Sequence, residues 1–309
     1  MKIIRQGAYS NIVRRISEQE CISDAYLNAT EFEGSASLRF KVDTFEITDA
    51  RWAIHRAPDP ERRGEGVAEM LIGESAYIDD RRNSIRVLPD YSWVVDYNRP
   101  PGGWEGVPDK KENLLAEPPA EISPEWKNIR ELFNEALRGA YQGEAYLIEE
   151  RGMGTLREYE AYWEKLKPGY CRPYVKEDMP PLEAWPIYSG NIQHYRAYDL
   201  YNKYLHYAVM DNGDGLYYAA GSYSDSAHEM NIELEYDESG VIQDYDMTAV
   251  RVPFDRCREL DHLNPQGVIG MNLRQLAKRE IGKVLGGSEG CFHMVDILAD
   301  IALVIQEIG

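Results

Sequence analysis

No apolar run approaches the roughly 18 residues that a membrane-crossing helix needs, so no membrane span is expected. The first residues, Met1-Lys2-Ile3-Ile4-Arg5-Gln6, have no apolar signal core, so no secretory leader is expected either. Cysteine is sparse. Its four copies, at 21, 171, 257 and 291, form no CxxC pair and no disulfide-like spacing, which argues against a disulfide framework. In a long chain without a leader they read as reduced cytoplasmic thiols or metal ligands. Positive charge is in deficit: 34 basic residues face 53 acidic ones, for a net charge of −19. A surface of that sign repels phosphate backbones and anionic lipid, so neither nucleic acid nor a membrane surface is the expected partner.

What is present is an ordinary globular composition, with 43% hydrophobic residues, enough to build a core. At roughly 150 residues per domain, 309 residues suggest two domains. Ala36, Leu38, Phe40 and Val42 alternate with charged neighbours and predict a half-buried strand, followed by a second over Phe45 to Ile54. Residues 85–124 carry repeated prolines and glycines and read as an extended insertion. Ser123-Pro124-Glu125 then opens a helix with an apolar stripe of Trp126, Ile129, Leu132, Phe133, Ala136 and Leu137. Thr155-Leu156-Arg157-Glu158 has capping-box spacing and predicts another helix. The proline-rich stretch 168–191 reads as a linker between an N-terminal unit, 1–167, and a C-terminal unit, 192–309.

In the second half, Tyr195 to Tyr207 fits strand or helix equally. Met230, Ile232, Leu234 and Tyr236 alternate as a strand, Asp237-Glu238-Ser239-Gly240 turns, and Val241 to Val252 returns. A helix is predicted over Leu273 to Leu285 with Gly286-Gly287 as its C-cap. The last helix, about 291–308, is apolar on much of its circumference and is expected to be buried or to join two copies in a homodimer.

The two halves echo each other. Ile47-Thr48-Asp49 and Ile242-Gln243-Asp244 are followed at equal spacing by Arg56-Ala57-Pro58 and Arg251-Val252-Pro253. Farther on, Arg130-Glu131-Leu132 with Gly143 resembles Arg274-Gln275-Leu276 with Gly287. The expected fold is therefore α+β: two related units, a degenerate duplication, each an antiparallel sheet packed against helices. Arg62 then stands opposite Cys257, Leu147 opposite Cys291, and Glu149 opposite His293, so the first copy lacks the soft ligands and serves as scaffold. The competing account is two unrelated α+β domains with chance matches.

Chemistry concentrates in the second half. His228, Cys257, Cys291 and His293 are candidate metal ligands, since thiolate sulfur and imidazole nitrogen suit zinc or iron. Cys291 at a helix start would meet the positive end of the dipole, which favours its thiolate. Glu229, Asp244 and Asp246 are candidate catalytic carboxylates, able to move a proton beside the metal. The plain alternatives are a buried cysteine, a core histidine and solvated acids on an acidic strand.

Ser226-Ala227-His228-Glu229-Met230, then Pro253 with Cys257, then Gly290-Cys291-Phe292-His293-Met294, resemble a bacterial family known as a conserved domain of unknown function. Its members carry a His-Asp-Met stretch, a proline followed by cysteine, and a Gly-Cys-Thr-His-Leu signature opening the last helix. The resemblance covers about residues 222–308; Glu229, Phe292 and Met294 depart from it. It implies that His228, Cys257, Cys291 and His293 act together. A looser likeness, to iron–sulfur assembly scaffolds, is analogy. The expected function is a cytoplasmic, metal-dependent lyase or hydrolase acting on a small aromatic or acyl acid, with zinc or iron as cofactor. The alternatives are a non-catalytic metal or iron–sulfur carrier or structural zinc module, and a metal-free enzyme with Cys291 as nucleophile.

Overall fold

The computed structural model describes residues 2–74, 76–79, 84–87, 125–147, 150, 171–172, 199–253, 255–262 and 265–308. Its strands are β1 (Lys2–Arg15), β2 (Glu20–Ala29), β3 (Glu33–Lys41), β4 (Ile47–Arg56), β5 (Gly64–Val67), β6 (Ala76–Asp79), β7 (Ser84–Val87), β8 (Asp199–Asp211), β9 (Leu216–Asp225), β10 (Glu229–Asp237) and β11 (Ile242–Arg251). Three α-helices of eight residues or more are described: α1 (Trp126–Gln142), α2 (Lys278–Leu285) and α3 (Phe292–Ile308). The class is α+β with antiparallel sheet, as the alternating strands predict. Most of the proline-rich insertion, the helix expected at Thr155 and nearly all of the 168–191 stretch lie outside the described residues. Among the described residues no helix is long and apolar enough to cross a membrane.

The chain forms two compact units. One comprises 1–8, 167–189 and 204–309; the other comprises 9–166 and 190–203. In the second of these, the strand order is β8-β1-β2-β3-β4-β5. Helix α1 packs on β2 and β3, and all six residues of its predicted stripe are buried there, with Leu38, Ile47 and Trp52. Burying each large apolar side chain contributes about 1.5–3 kcal/mol. The β3–β4 register pairs Glu33 with Arg56 and Phe40 with Ile47, with a bulge beside each pair.

The sequences of β1 and β2 show no unbroken apolar alternation, and their buried polar residues show why. Asn11 and Ser23 point inward where an apolar residue would mark a strand. Helix α1 takes their donors: Asn11 Nδ2 donates to the Glu135 carbonyl at 2.8 Å and Ser23 Oγ to the Ala136 carbonyl at 2.6 Å, while Asn11 Oδ1 stays buried without a hydrogen-bond partner.

In the other unit the order is β11-β10-β9-β8-β1. Helix α3 lies on β9 and β10 and buries nine side chains, from Met294 to Ile305, within this unit. It approaches β9 closely because Gly221 has no side chain; a Cβ there would sit 2.4 Å from Ile297 Cγ2. The β10–β11 register pairs Glu229 with Arg251 and Tyr236 with Ile242, again with a bulge beside each pair. Tyr195 to Tyr207 resolves in its described part as strand β8.

Helix α2 begins five residues later than the expected Leu273. The Leu273 and Leu276 carbonyls accept from Gln306 Nε2 at 2.9 and 3.0 Å. Asn272 Oδ1 takes the Arg274 N–H at 2.9 Å, holding a turn there instead of helix.

Candidate functional site

Strand β9 ends at Asp225 and β10 begins at Glu229, so Asp225-Ser226-Ala227-His228 is the tight turn between them. The Asp225 N–H donates to the His228 carbonyl at 2.9 Å. Asp225 Oδ1 accepts the backbone N–H groups of Ala227 and His228, each at 2.7 Å, which is the way aspartate locks such a turn. The same turn swings the His228 ring back onto the carboxylate, with Nδ1 3.0 Å from Oδ1 and 3.3 Å from Oδ2. Tyr223 Oη, one strand pitch back on the same face, donates to Oδ2 at 2.9 Å.

Asp225 is buried. Burial pushes its carboxyl up, but the His228 imidazole, the His228 hydrogen bond, His293 and the Ala227 N–H outweigh it and hold the group well below the usual carboxylate range. An ionised Asp225 facing Nδ1 offers that nitrogen an acceptor and turns Nε2 away from the carboxylate, the arrangement by which a carboxylate orients a metal-binding histidine. Arg251 pins the turn from outside, donating to the carbonyls of Asp225 at 2.7 Å, His228 at 2.9 Å and Ser226 at 3.0 Å.

The other half of the site comes from the loop between α2 and α3. Gly286 caps α2, and Gly287 adopts φ +74, a conformation glycine accepts without strain. The chain then folds back so tightly that the Cys291 N–H reaches the Leu285 carbonyl at 2.6 Å. A Cβ on Gly290 would lie 2.1 Å from that same oxygen. Cys291 is thereby set just ahead of α3 and is 5% exposed. Its Sγ lies 3.7 Å from Met230 Sδ and 3.7 Å from His293 Nδ1. The His293 ring stands between the Tyr223 ring, centroids 4.6 Å apart, and the His228 ring, 4.1 Å apart. His293 Nε2 is 3.9 Å from Asp225 Oδ2.

Asp225, His228 and His293 each offer one ligand atom within 4.8 Å of the others. Of the four residues singled out in sequence, the structure thus brings His228 and His293 together, with Cys291 against His293. Cys257 is buried in the 3-10 run Asp255–His262 and lies outside that group of ligand atoms. Glu229, Asp244 and Asp246 are exposed. Strand alternation puts Glu229 on the opposite face from Met230, the neighbour of Cys291. Asp244 and Asp246 pair with Glu235 and Glu233 on that same exposed face.

Sequence reasoning missed Asp225 and Tyr223 because it missed β9. The inward positions of that strand are Ala219, Gly221, Tyr223 and Asp225, too small or too polar to read as a hydrophobic alternation. The available signal was aspartate three residues before histidine, the Asx-turn spacing.

No curated protein and no solved structure matches the chain. The resemblance to a domain of unknown function holds over its segment: residues 211–306, which carry Asp225, His228, Cys257, Cys291 and His293, match the family described as a protein of unknown function, DUF2889.

Proposed function

We propose that the chain is a metal-dependent enzyme, a lyase or hydrolase acting on a small aromatic or acyl acid. The observation that carries the reading is the convergence of Asp225, His228 and His293 within 4.8 Å. The two imidazoles suit zinc or non-haem iron and leave coordination positions for a further protein ligand, a substrate oxygen or water. A metal there would polarise a carbonyl or activate water. Asp225 orients His228, and Tyr223 holds Asp225. Elemental mass spectrometry on the full chain, purified without chelator, tests this. About one zinc or iron per chain is expected, lost in His228→Ala and His293→Ala. A metal-free wild type would sink the reading.

A second reading has its own observation. Cys291 Sγ, His293 Nδ1, His293 Nε2 and Asp225 Oδ2 form a chain with gaps of 3.7 and 3.9 Å. That is the order of nucleophile, base and orienting carboxylate. If the wild type holds no metal, active-site alkylation at Cys291 that abolishes turnover would favour this route.

We also infer that the two halves descend from one duplicated unit. The β3–β4 and β10–β11 hairpins carry bulges at matching places, beside Glu33 and Glu229 and beside Phe40 and Tyr236. Arg56 donates to the carbonyls of Ala29 and Thr30 as Arg251 does to those of Asp225 and Ser226. Helices α1 and α3 are each 17 residues long and lie on equivalent strand pairs, α1 on β2 and β3 and α3 on β9 and β10. This matching pairs α1 with α3. It replaces the sequence register that set Leu147 opposite Cys291, because Arg274 sits in the turn before α2 and not on a helix. Ala29 and Phe32 then stand for Asp225 and His228, Glu125 for Cys291 and Lys127 for His293. The first copy keeps the frame without the chemistry.

A further inference from the structure

Cys291 lies against the proposed metal group without belonging to it. The ligand atoms within 4.8 Å of one another come from Asp225, His228 and His293, and the Cys291 sulfur is outside them. His293 joins the two. Its Nε2 is 3.9 Å from Asp225 Oδ2, and its Nδ1 is 3.7 Å from Cys291 Sγ.

The rings of Tyr223 and His228 flank His293 at 4.6 and 4.1 Å, each tilted by 42°. Flanking of this kind fixes the plane of an imidazole but not its edge. A half-turn of the ring about its bond to Cβ would exchange Nδ1 with Cδ2 and Nε2 with Cε1. A C–H would then face Asp225, with no lone pair for a cation. The atom that distinguishes the two edges is the sulfur facing Nδ1. The Cys291 thiol donates to Met230 Sδ at 3.7 Å, so the lone pairs of the sulfur are left to accept. That sulfur is also well placed and dry. The Cys291 N–H is tied to the Leu285 carbonyl at 2.6 Å, and the Cys291 carbonyl accepts from the Val295 N–H at 3.3 Å. Cys291 and Met230 are both buried, and a hydrogen bond shielded from water is the stronger for it.

We propose that Cys291 is a positioning residue for His293, as Asp225 is for His228. Its sulfur accepts the Nδ1 proton, selects the ring edge, and leaves Nε2 as a lone pair for a borderline divalent cation such as zinc. The thiol is neither a ligand nor a nucleophile in this role. The inference rests on the metal reading for the cation alone; control of the His293 ring belongs to the metal-free protein as well.

The test uses the full chain, reduced, with cobalt(II) as the probe and its visible spectrum as the readout. Wild type is expected to bind cobalt without a sulfur-to-cobalt charge-transfer band. Cys291→Ala should bind about 10-fold more weakly, at the low end for loss of a partner that orients a ligand, and Cys291→Ser should recover part of the loss. The His293 tautomer is read in parallel on chelator-treated protein, by long-range proton–nitrogen NMR of the ring. Wild type should carry the proton on Nδ1, and Cys291→Ala should move it toward Nε2, where Asp225 draws it. A sulfur-to-cobalt band in wild type would overturn the proposal by making Cys291 a ligand. Equal cobalt affinity in wild type and Cys291→Ala, or an unchanged tautomer, would overturn it as well. If wild type binds no cobalt, the metal reading fails, and the tautomer alone decides whether Cys291 positions the ring.

Discussion

Asp225 accepts hydrogen bonds from two backbone N–H groups, a tyrosine and a histidine, and no apolar neighbour could replace it. Asp225→Asn keeps the shape but puts an N–H₂ where donors already point. The variant should cost about 1–3 kcal/mol in a urea melt, the penalty for mismatched buried polar groups. It should also weaken metal binding about 10–100-fold by releasing the His228 ring. Unchanged affinity would mean that Asp225 serves the turn alone. At this scale His228, Cys291 and His293 were legible in sequence because few residue types do their chemistry. Asp225 and Tyr223 were not, because an aspartate in an acidic chain carries no mark until the strand that presents it is known.

Elements were legible where one face is apolar at regular spacing, as on α1 and on β3, β4, β10 and β11. They were illegible where an element takes its partner's shape. Strand β9 offers glycine at 221 so that α3 can come close, and a Cβ there would lie 2.4 Å from Ile297 and 3.1 Å from Ile301. Gly221→Val should therefore destabilise by about 1–3 kcal/mol through overpacking, read as a lower denaturant midpoint. Ile297→Ala in the same chain should return part of the loss. Additive losses in the double variant would show that the two do not share that space. Helix α2 shows the opposite failure: Leu273 and Leu276 are buried as predicted, but Gln306 claims their carbonyls and the helix starts after them.

Across the larger fold, the unit with α1 carries a partly buried charged cluster. Glu135 meets Lys203 Nζ at 2.7 Å and also Arg138. Burial pushes the Glu135 carboxyl up, but the Lys203 ammonium and the Arg138 guanidinium outweigh it and hold the group down to about 2, against an ordinary 4.5. A depressed carboxyl contributes stability that is fully present above its unfolded value and is lost as pH falls toward the folded one. Stability should thus decline on acidification from about 4.5 to about 2, read by tryptophan fluorescence, since Trp52 and Trp126 sit in that core. Lys203→Met should cost about 2–4 kcal/mol at neutral pH, because it strands a buried carboxylate with one partner fewer. It should also flatten the acid decline.

Strands β1 and β8 each give residues to both units, so neither unit is a continuous piece of chain. The family segment begins at 211, the last residue of β8, and so takes β9 with β10 on one side but without its other hydrogen-bonding neighbour, β8. Cut out at those limits, it would present the bare backbone donors and acceptors of β9 to solvent, a template on which other strands assemble. The segment that matches the family is, in this chain, a tenant of a sheet whose supporting strands are encoded elsewhere.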